Sequence, residues 1–167
     1  METERLSAHH DLEQLFREHA ADIHRLAYRI TGSASDADDI VQDLFVGLPE
    51  ALRSFRGSGS LQGWLRRIAA RMALARLRRK PSTELPDDLA AASLDEDAPF
   101  QRAAINLALA TLPDSLRVVF MLREVEGYSH ADIAQLLGIT AASSEVRLHR
   151  AKKQLRNQLK TYRQDAT

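Results

Sequence analysis

Residues 128–159, YSHADIAQLLGITAASSEVRLHRAKKQLRNQL, decide how the rest of the chain is read. Ser129 is a good helix N-cap, and Asp132 stands three residues later, where a capping acid can reach back. Ile133, Leu136 and Leu137 form an apolar stripe at helical spacing. Gly138 supplies the left-handed turn that ends a helix, and Thr140 caps a second, longer one. Two helices joined by a turn of about three to four residues containing Gly predict a helix-turn-helix, whose second helix enters the DNA major groove.

Placed on a helical wheel at about 100° per residue, the second helix has two faces. Leu148, Ala151, Leu155 and Leu159 fall on the side that must meet a core. Ala142, Val146, His149, Arg150, Lys153 and Asn157 fall opposite, flanked by Glu145 and Arg147. An exposed Val among Arg, His and Lys is odd for a face that only meets water. It suits a groove-reading helix, where Val touches a thymine methyl and Arg forks onto guanine. From Val146 to Arg163 there are seven Lys or Arg and no acid. A solvated basic terminal helix is the plainer alternative.

The whole chain has 167 residues, room for one domain or two small ones. Its formal net charge is zero, but the distribution is segregated. Gly57 to Thr83 holds seven basic residues and no acid, and Glu84 to Pro99 holds six acids and no base. Two cationic segments around an anionic one predict two nucleic-acid contacts and an acidic connector. With no Cys there is no disulfide, thiol switch or Cys-based zinc site. No apolar run is long enough to span a membrane. The start carries Glu2 and Glu4 without an apolar signal core, so the cytoplasm is the expected compartment.

In chain order, a first helix is predicted from His10 to Ile30, with Leu12, Leu15, Phe16, Ile23, Leu26 and Ile30 at helical spacing and Gly32 at its end. His9, His10, His19 and His24 lack a tight ligand spacing and read as ordinary surface histidines rather than metal ligands. A second helix begins at Ser35, with Asp36 and Asp38 in its first turn. Its inner stripe is Ala37, Ile40, Val41, Leu44, Phe45 and Leu48. Ser35 to Glu50 carries five acids and no base, so this face is either merely solvated or docks a basic partner. Pro49 should kink the helix before it resumes to Phe55. Arg56 to Ser60 reads as a flexible loop, too short for a phosphate cradle. A third helix follows from Leu61 to about Lys80, with Leu61, Trp64, Leu65, Ile68 and Met72 inside. Arg66, Arg67, Arg71, Arg76, Arg78, Arg79 and Lys80, without a counter-charge, imply a phosphate track. Trp64 is either a core anchor or a platform for an unpaired base. Pro81 to Pro99 is a linker with three prolines. A fourth helix, Phe100 to about Thr111, keeps Ala104, Leu107 and Ala108 inside. A fifth, Asp114 to Glu124, turns Leu116, Val119, Phe120 and the stem of Arg123 inward.

The fold class these readings give is all-α. Two small helical domains, 1–80 and 100–163, are joined by an acidic linker at 81–99. There is no HExxH, P-loop or nucleophile elbow, so an enzyme is not expected. A stand-alone helix-turn-helix regulator fits the C-terminal part but leaves the N-terminal block without a role.

Two blocks supply that role. LFREHAADIHRLAYRITGSASDADDIVQDLFVGLPEAL followed by GWLRRIAARMALARLRR, and ALATLPDSLRVVFMLREVEGYSHADIAQLLGITAASSEVRLHRAKKQLR, cover most of residues 11 to 159. In order and spacing the chain resembles bacterial RNA polymerase sigma factors of the small extracytoplasmic-function group. The resemblance implies a factor that binds core polymerase, directs it to promoters through −35 and −10 elements and starts DNA melting, without catalysis or cofactor. It assigns docking on the clamp coiled coil of the largest subunit to Asp36, Asp38, Asp39, Gln42, Asp43 and Phe45. Single-strand and −10 contacts fall to Arg56, Ser58, Ser60, Trp64, Arg67, Arg71, Arg76, Arg78 and Arg79. Reading of the −35 element falls to Ser143, Ser144, Glu145, Val146, Arg147, His149, Arg150 and Lys153, with Arg147 more of a backbone contact. The linker resembles the connector that threads near the RNA exit path, and an anti-sigma factor is an implied second partner. Four positions depart. Arg71 and Ala75 stand where the family often has Asn and Asp, and Glu145 and Val146 where a basic and a small polar residue are usual. Glu145 can accept from a cytosine amino group, so an unusual −35 sequence is expected rather than loss of binding.

Overall fold

The computed structural model describes residues 2–57, 59–79 and 99–165, with side chains described over 11–57, 59–79 and 103–161. Ser58 and most of the expected linker lie outside the described residues. The described residues are helical and contain no strand. They divide between Lys80 and Pro81 into two units.

The first unit holds α1 (Glu2–Thr31), α2 (Ala34–Ala51), a 3-10 turn (Leu52–Ser54) and α3 (Leu61–Arg79). α1 starts earlier than expected, because residues 2–9 contain neither Pro nor Gly and several good helix formers. Ser33, not Ser35, precedes α2 as its cap; its Oγ accepts from the Asp36 N–H at 3.2 Å. α2 continues over Pro49 and ends at Ala51, giving way to the 3-10 turn. The carbonyl that Pro49 leaves without its donor lies in the last turns, where few helical bonds remain downstream to disturb.

Ile23, Leu26, Ala27 and Ile30 of α1 are buried with Ala37, Ile40, Val41, Leu44, Phe45 and Leu48 of α2. The α2 stripe is the predicted one. On α3 the buried residues are Leu65, Ala69, Ala70, Ala73, Leu74 and Leu77. Trp64, Ile68 and Met72 are only half-buried, so the inward face is rotated from the expected stripe. Alanines make the difference: three of them let α3 approach both α1 and α2, and the larger side chains are left on the shoulders.

The second unit holds α4 (Pro99–Thr111), α5 (Asp114–Phe120), a π-helical turn (Met121–Val125), α6 (His130–Leu137) and α7 (Ala141–Asp165). Ala108, Leu109, Leu112, Leu116, Met121, Ala151 and Leu155 form one core cluster, with Ile105, Phe120, Val125 and Leu159 packed around it. Two expectations for this unit are corrected. Leu107 faces solvent at 55% exposure, and its neighbours Ala108 and Leu109 take the core positions. The arginine buried here is Arg117, which is 2% exposed and pairs with Asp114 at 2.8 Å. Arg123 is exposed and donates to the Tyr128 carbonyl at 3.0 Å. The π turn adds a residue to the helical turn, and the Glu126 N–H reaches back to the Met121 carbonyl at 3.0 Å. That shifts the register after Phe120, so a regular wheel carried to Glu124 misplaces Arg123.

Candidate nucleic-acid and docking interfaces

In the second unit the helix-turn-helix is built as its local chemistry requires. Ser129 Oγ accepts from the Asp132 N–H at 3.1 Å and donates to the Asp132 carboxylate at 2.7 Å, closing the cap from both sides. Gly138 ends α6 at φ 66°, ψ 37°, a conformation costly for a side chain with Cβ. Thr140 then caps α7: its Oγ1 accepts from the Ser143 N–H at 3.0 Å and donates to Ser143 Oγ at 2.9 Å. Ile133 and Leu136 of α6, and Leu148, Ala151 and Leu155 of α7, are buried.

The opposite face of α7 is open. Ala142, Glu145, Val146, His149, Arg150 and Lys153 are exposed, Val146 at 48%. Arg147 is half-buried beside them. Arg150 and Lys153 also line an open cleft with Pro113, Ser115 and Leu116 at the start of α5. Ser143 is half-buried within the cap. Ser144 is fully buried, with its Oγ 2.8 Å from His130 Nδ1, so it joins α6 to α7 instead of facing outward. The wheel carried that signal, because Ser144 lies one turn before Leu148 on the inner side.

In the first unit the cationic helix is less uniform than its sequence suggests. Arg66 reaches back to α1 and donates to both oxygens of Asp22, at 2.7 and 2.6 Å. Burial works against ionisation of Asp22, but Arg66, helped by Gln62 and Arg25, holds its carboxyl below the usual aspartate value. Arg76 lies over α2. Its Nη1 is 3.2 Å from Asp36 Oδ1 and 3.2 Å from Asp39 Oδ2, and its Nη2 is 3.2 Å from Asp43 Oδ2. Partial burial opposes its charge, yet the bonds to Asp36 and Asp39 raise its pKa above the ordinary arginine value. The expectation of seven cations without counter-charge is therefore corrected: Arg66 and Arg76 are engaged by α1 and α2. Arg56, Arg67, Arg71, Arg78 and Arg79 are exposed. Ser60 is exposed and caps α3, accepting from the Gly63 N–H at 3.0 Å. Trp64 is half-buried, with its ring centroid 5.1 Å from that of Phe55, which gives it a packing role in this unit.

The outer face of α2 shows Asp38, Asp39, Gln42, Asp43 and Glu50 to solvent, and Val46 among them is 76% exposed. Asp38 Oδ1 lies 2.9 Å from His24 Nε2, a hydrogen bond that ties α2 to α1. Phe45, placed by the resemblance among the docking residues, is buried edge-on against Phe16 with centroids 4.9 Å apart. It holds the face from beneath. Val46, which the sequence reading passed over, is the apolar residue that the face presents.

The chain matches sigma-70 region 2 over residues 15–83 and sigma-70 region 4 over residues 102–155. It is 34% identical over 163 residues to the ECF RNA polymerase sigma factor SigM of Mycobacterium tuberculosis, covering 92% of this chain and 82% of that one. It is 31% identical over 157 residues to the ECF sigma factor SigE of Mycolicibacterium smegmatis, covering 88% of this chain but 61% of SigE. Its fold matches the sigma factor RpoE of Bartonella quintana, solved with the anti-sigma factor NepR, at a TM-score of 0.66 and 20% identity over 90% of this chain and 97% of the other. It also matches CnrH, solved with the cytosolic domain of CnrY, at a TM-score of 0.60 and 26% identity over 90% and 88% of the two chains. Two matched regions in family order, on two helical units, lead to one assignment: the chain belongs to the extracytoplasmic-function group of the sigma-70 family of RNA polymerase sigma factors.

Proposed function

We propose that this chain is a promoter-specificity subunit that works by dividing three contacts between its two units. α2 docks on the clamp coiled coil of the largest subunit of core RNA polymerase through Asp36, Asp38, Asp39, Gln42, Asp43 and Val46. The exposed cations Arg56, Arg67, Arg71, Arg78 and Arg79, with Trp64, hold the −10 strand. α7 reads the −35 element through Glu145, Val146, His149, Arg150 and Lys153, with Ser143 and Arg147 nearer the backbone. The observation that carries this reading is the open face of α7, where Val146 stands exposed among Glu145, His149, Arg150 and Lys153 behind two capped turns.

The chemistry is binding rather than bond-making. Melting draws on captured bases, each stack being worth about 1–3 kcal/mol, and on strand phosphates held by arginine. No cofactor enters the scheme. No helix among the described residues is long and apolar enough to cross a membrane, and promoter work places the chain in the cytoplasm. CnrH is solved with the cytosolic domain of CnrY, which supports a protein partner for this chain too, and an anti-sigma factor is the partner expected from the family resemblance. Selection of promoters from a random DNA library by core polymerase plus this chain, followed by run-off transcription, tests the assignment. The expected product is a two-element consensus that core polymerase alone does not select. A palindromic site bound without polymerase would favour a stand-alone regulator.

A further inference from the structure

Asp36, Asp39 and Asp43 lie three and four residues apart, on one stripe of α2. A single guanidinium, that of Arg76 on α3, sits across all three. Among the described residues, three carboxylates share this one cation, an excess of two negative charges. The contacts are long. Each is 3.2 Å, whereas charge-assisted bonds usually fall at about 2.7–2.9 Å. The Arg66–Asp22 pair in the same unit reaches 2.6 Å between two largely covered side chains. Asp39 and Asp43 are instead more than half exposed, at 55% and 61%. Arg66 has the geometry of a brace, and Arg76 that of a loosely held occupant.

We infer that Arg76 is an internal occupant of the α2 docking face, which a cationic group of the docking partner displaces and which then joins the cationic strand-holding surface of α3. This rests on the docking role proposed for α2. The same arginine belongs by sequence to the strand-binding helix, so it lies between the two surfaces. A group that serves one surface only by leaving the other couples them. Docking frees a cation for the strand, and strand capture frees acids for docking, by an equal factor in each direction. Arg76 is thus a positioning residue for both contacts. An internal salt bridge that must open also lowers the salt sensitivity of docking, because part of the acidic charge is already neutralised.

The test measures affinity for core polymerase without DNA, over a series of salt concentrations, for the wild-type chain, Arg76→Met and Arg76→Lys. Arg76→Met should bind core at least roughly threefold more tightly with a steeper salt dependence, and Arg76→Lys should fall between, since an ammonium lacks the planar fork. The helical circular dichroism of each variant is read alongside. A folded Arg76→Met that binds core equally or more weakly, with an unchanged salt slope, overturns the inference and makes Arg76 a brace. If Arg76→Met does not fold, Arg76→Lys decides by the same criterion, and failure of both to fold also makes Arg76 a brace. A wild-type chain that does not bind core would overturn the docking role itself, whereas wild-type binding without tightening in the variants overturns only the role of Arg76.

Discussion

Arg150 stands exposed on α7 next to Ala151, which is fully buried, so its backbone is fixed while its guanidinium is free to enter a groove. Arg150→Ala should cost about 1–3 kcal/mol of −35 binding and relax choice at one base. Binding titrations on a set of single-base promoter variants check this, and an equal loss on every sequence would reduce Arg150 to a phosphate contact. His130 and Ser144 lie behind that face, joined at 2.8 Å with Ser144 fully buried. His130→Ala strands a buried hydroxyl and should cost about 1–3 kcal/mol of stability, more than Ser144→Ala, which removes the polar group as well. Thermal melts of the two variants order them. Asp22 gives a pH signature. Its folded pKa is depressed below 3.8, so its contribution is complete above that value and is lost as pH falls through the folded pKa. Asp22→Asn should therefore destabilise by about 1–2 kcal/mol at pH 7. The gap to wild type should close below about pH 4 in denaturant titrations.

At the scale of elements, α6 and α7 depend on the turn between them. Gly138 at φ 66° has open space where a Cβ would go, so the penalty of a side chain there is conformational. Gly138→Val should cost about 1–2 kcal/mol, measured as a lowered melting temperature, and no loss would show that the turn has another route. α2 presents its acids outward, and Asp38, outside the Arg76 network, is its cleanest probe. Asp38→Arg should weaken core binding by at least roughly tenfold, because a like charge facing a cationic partner costs several kcal/mol. Unchanged assembly would take the docking role from this residue. These three elements were also the most legible in the sequence. Caps, a left-handed Gly and a stripe of large apolar residues are all local signals; for α6 and α7 they agree, and for α2 the stripe is the predicted one while the cap is Ser33 instead of Ser35. α3 was read with its face turned, because Ala69, Ala70 and Ala73 pack inward only when neighbouring helices approach closely. The buried Arg117 and the exposed Leu107 follow from how α4, α5 and the π turn meet the rest of their unit, which no window of sequence contains.

At the scale of the molecule, a chain of zero formal charge keeps its charges apart in segments, and the proposed promoter role uses that separation. The sequence shows this segregation along the chain but not across the fold, where Arg66 meets Asp22 from 44 residues away and Arg76 meets Asp36 from 40. Fewer arginines of α3 are therefore open to a phosphate than its sequence counts, because Arg66 and Arg76 are engaged by acids of α1 and α2. Such a division of labour has meaning only on the polymerase. The purified chain should co-elute with core RNA polymerase in size exclusion at moderate salt, without DNA. Separate elution, with sequence-specific DNA binding by the chain alone, would contradict the promoter-subunit account.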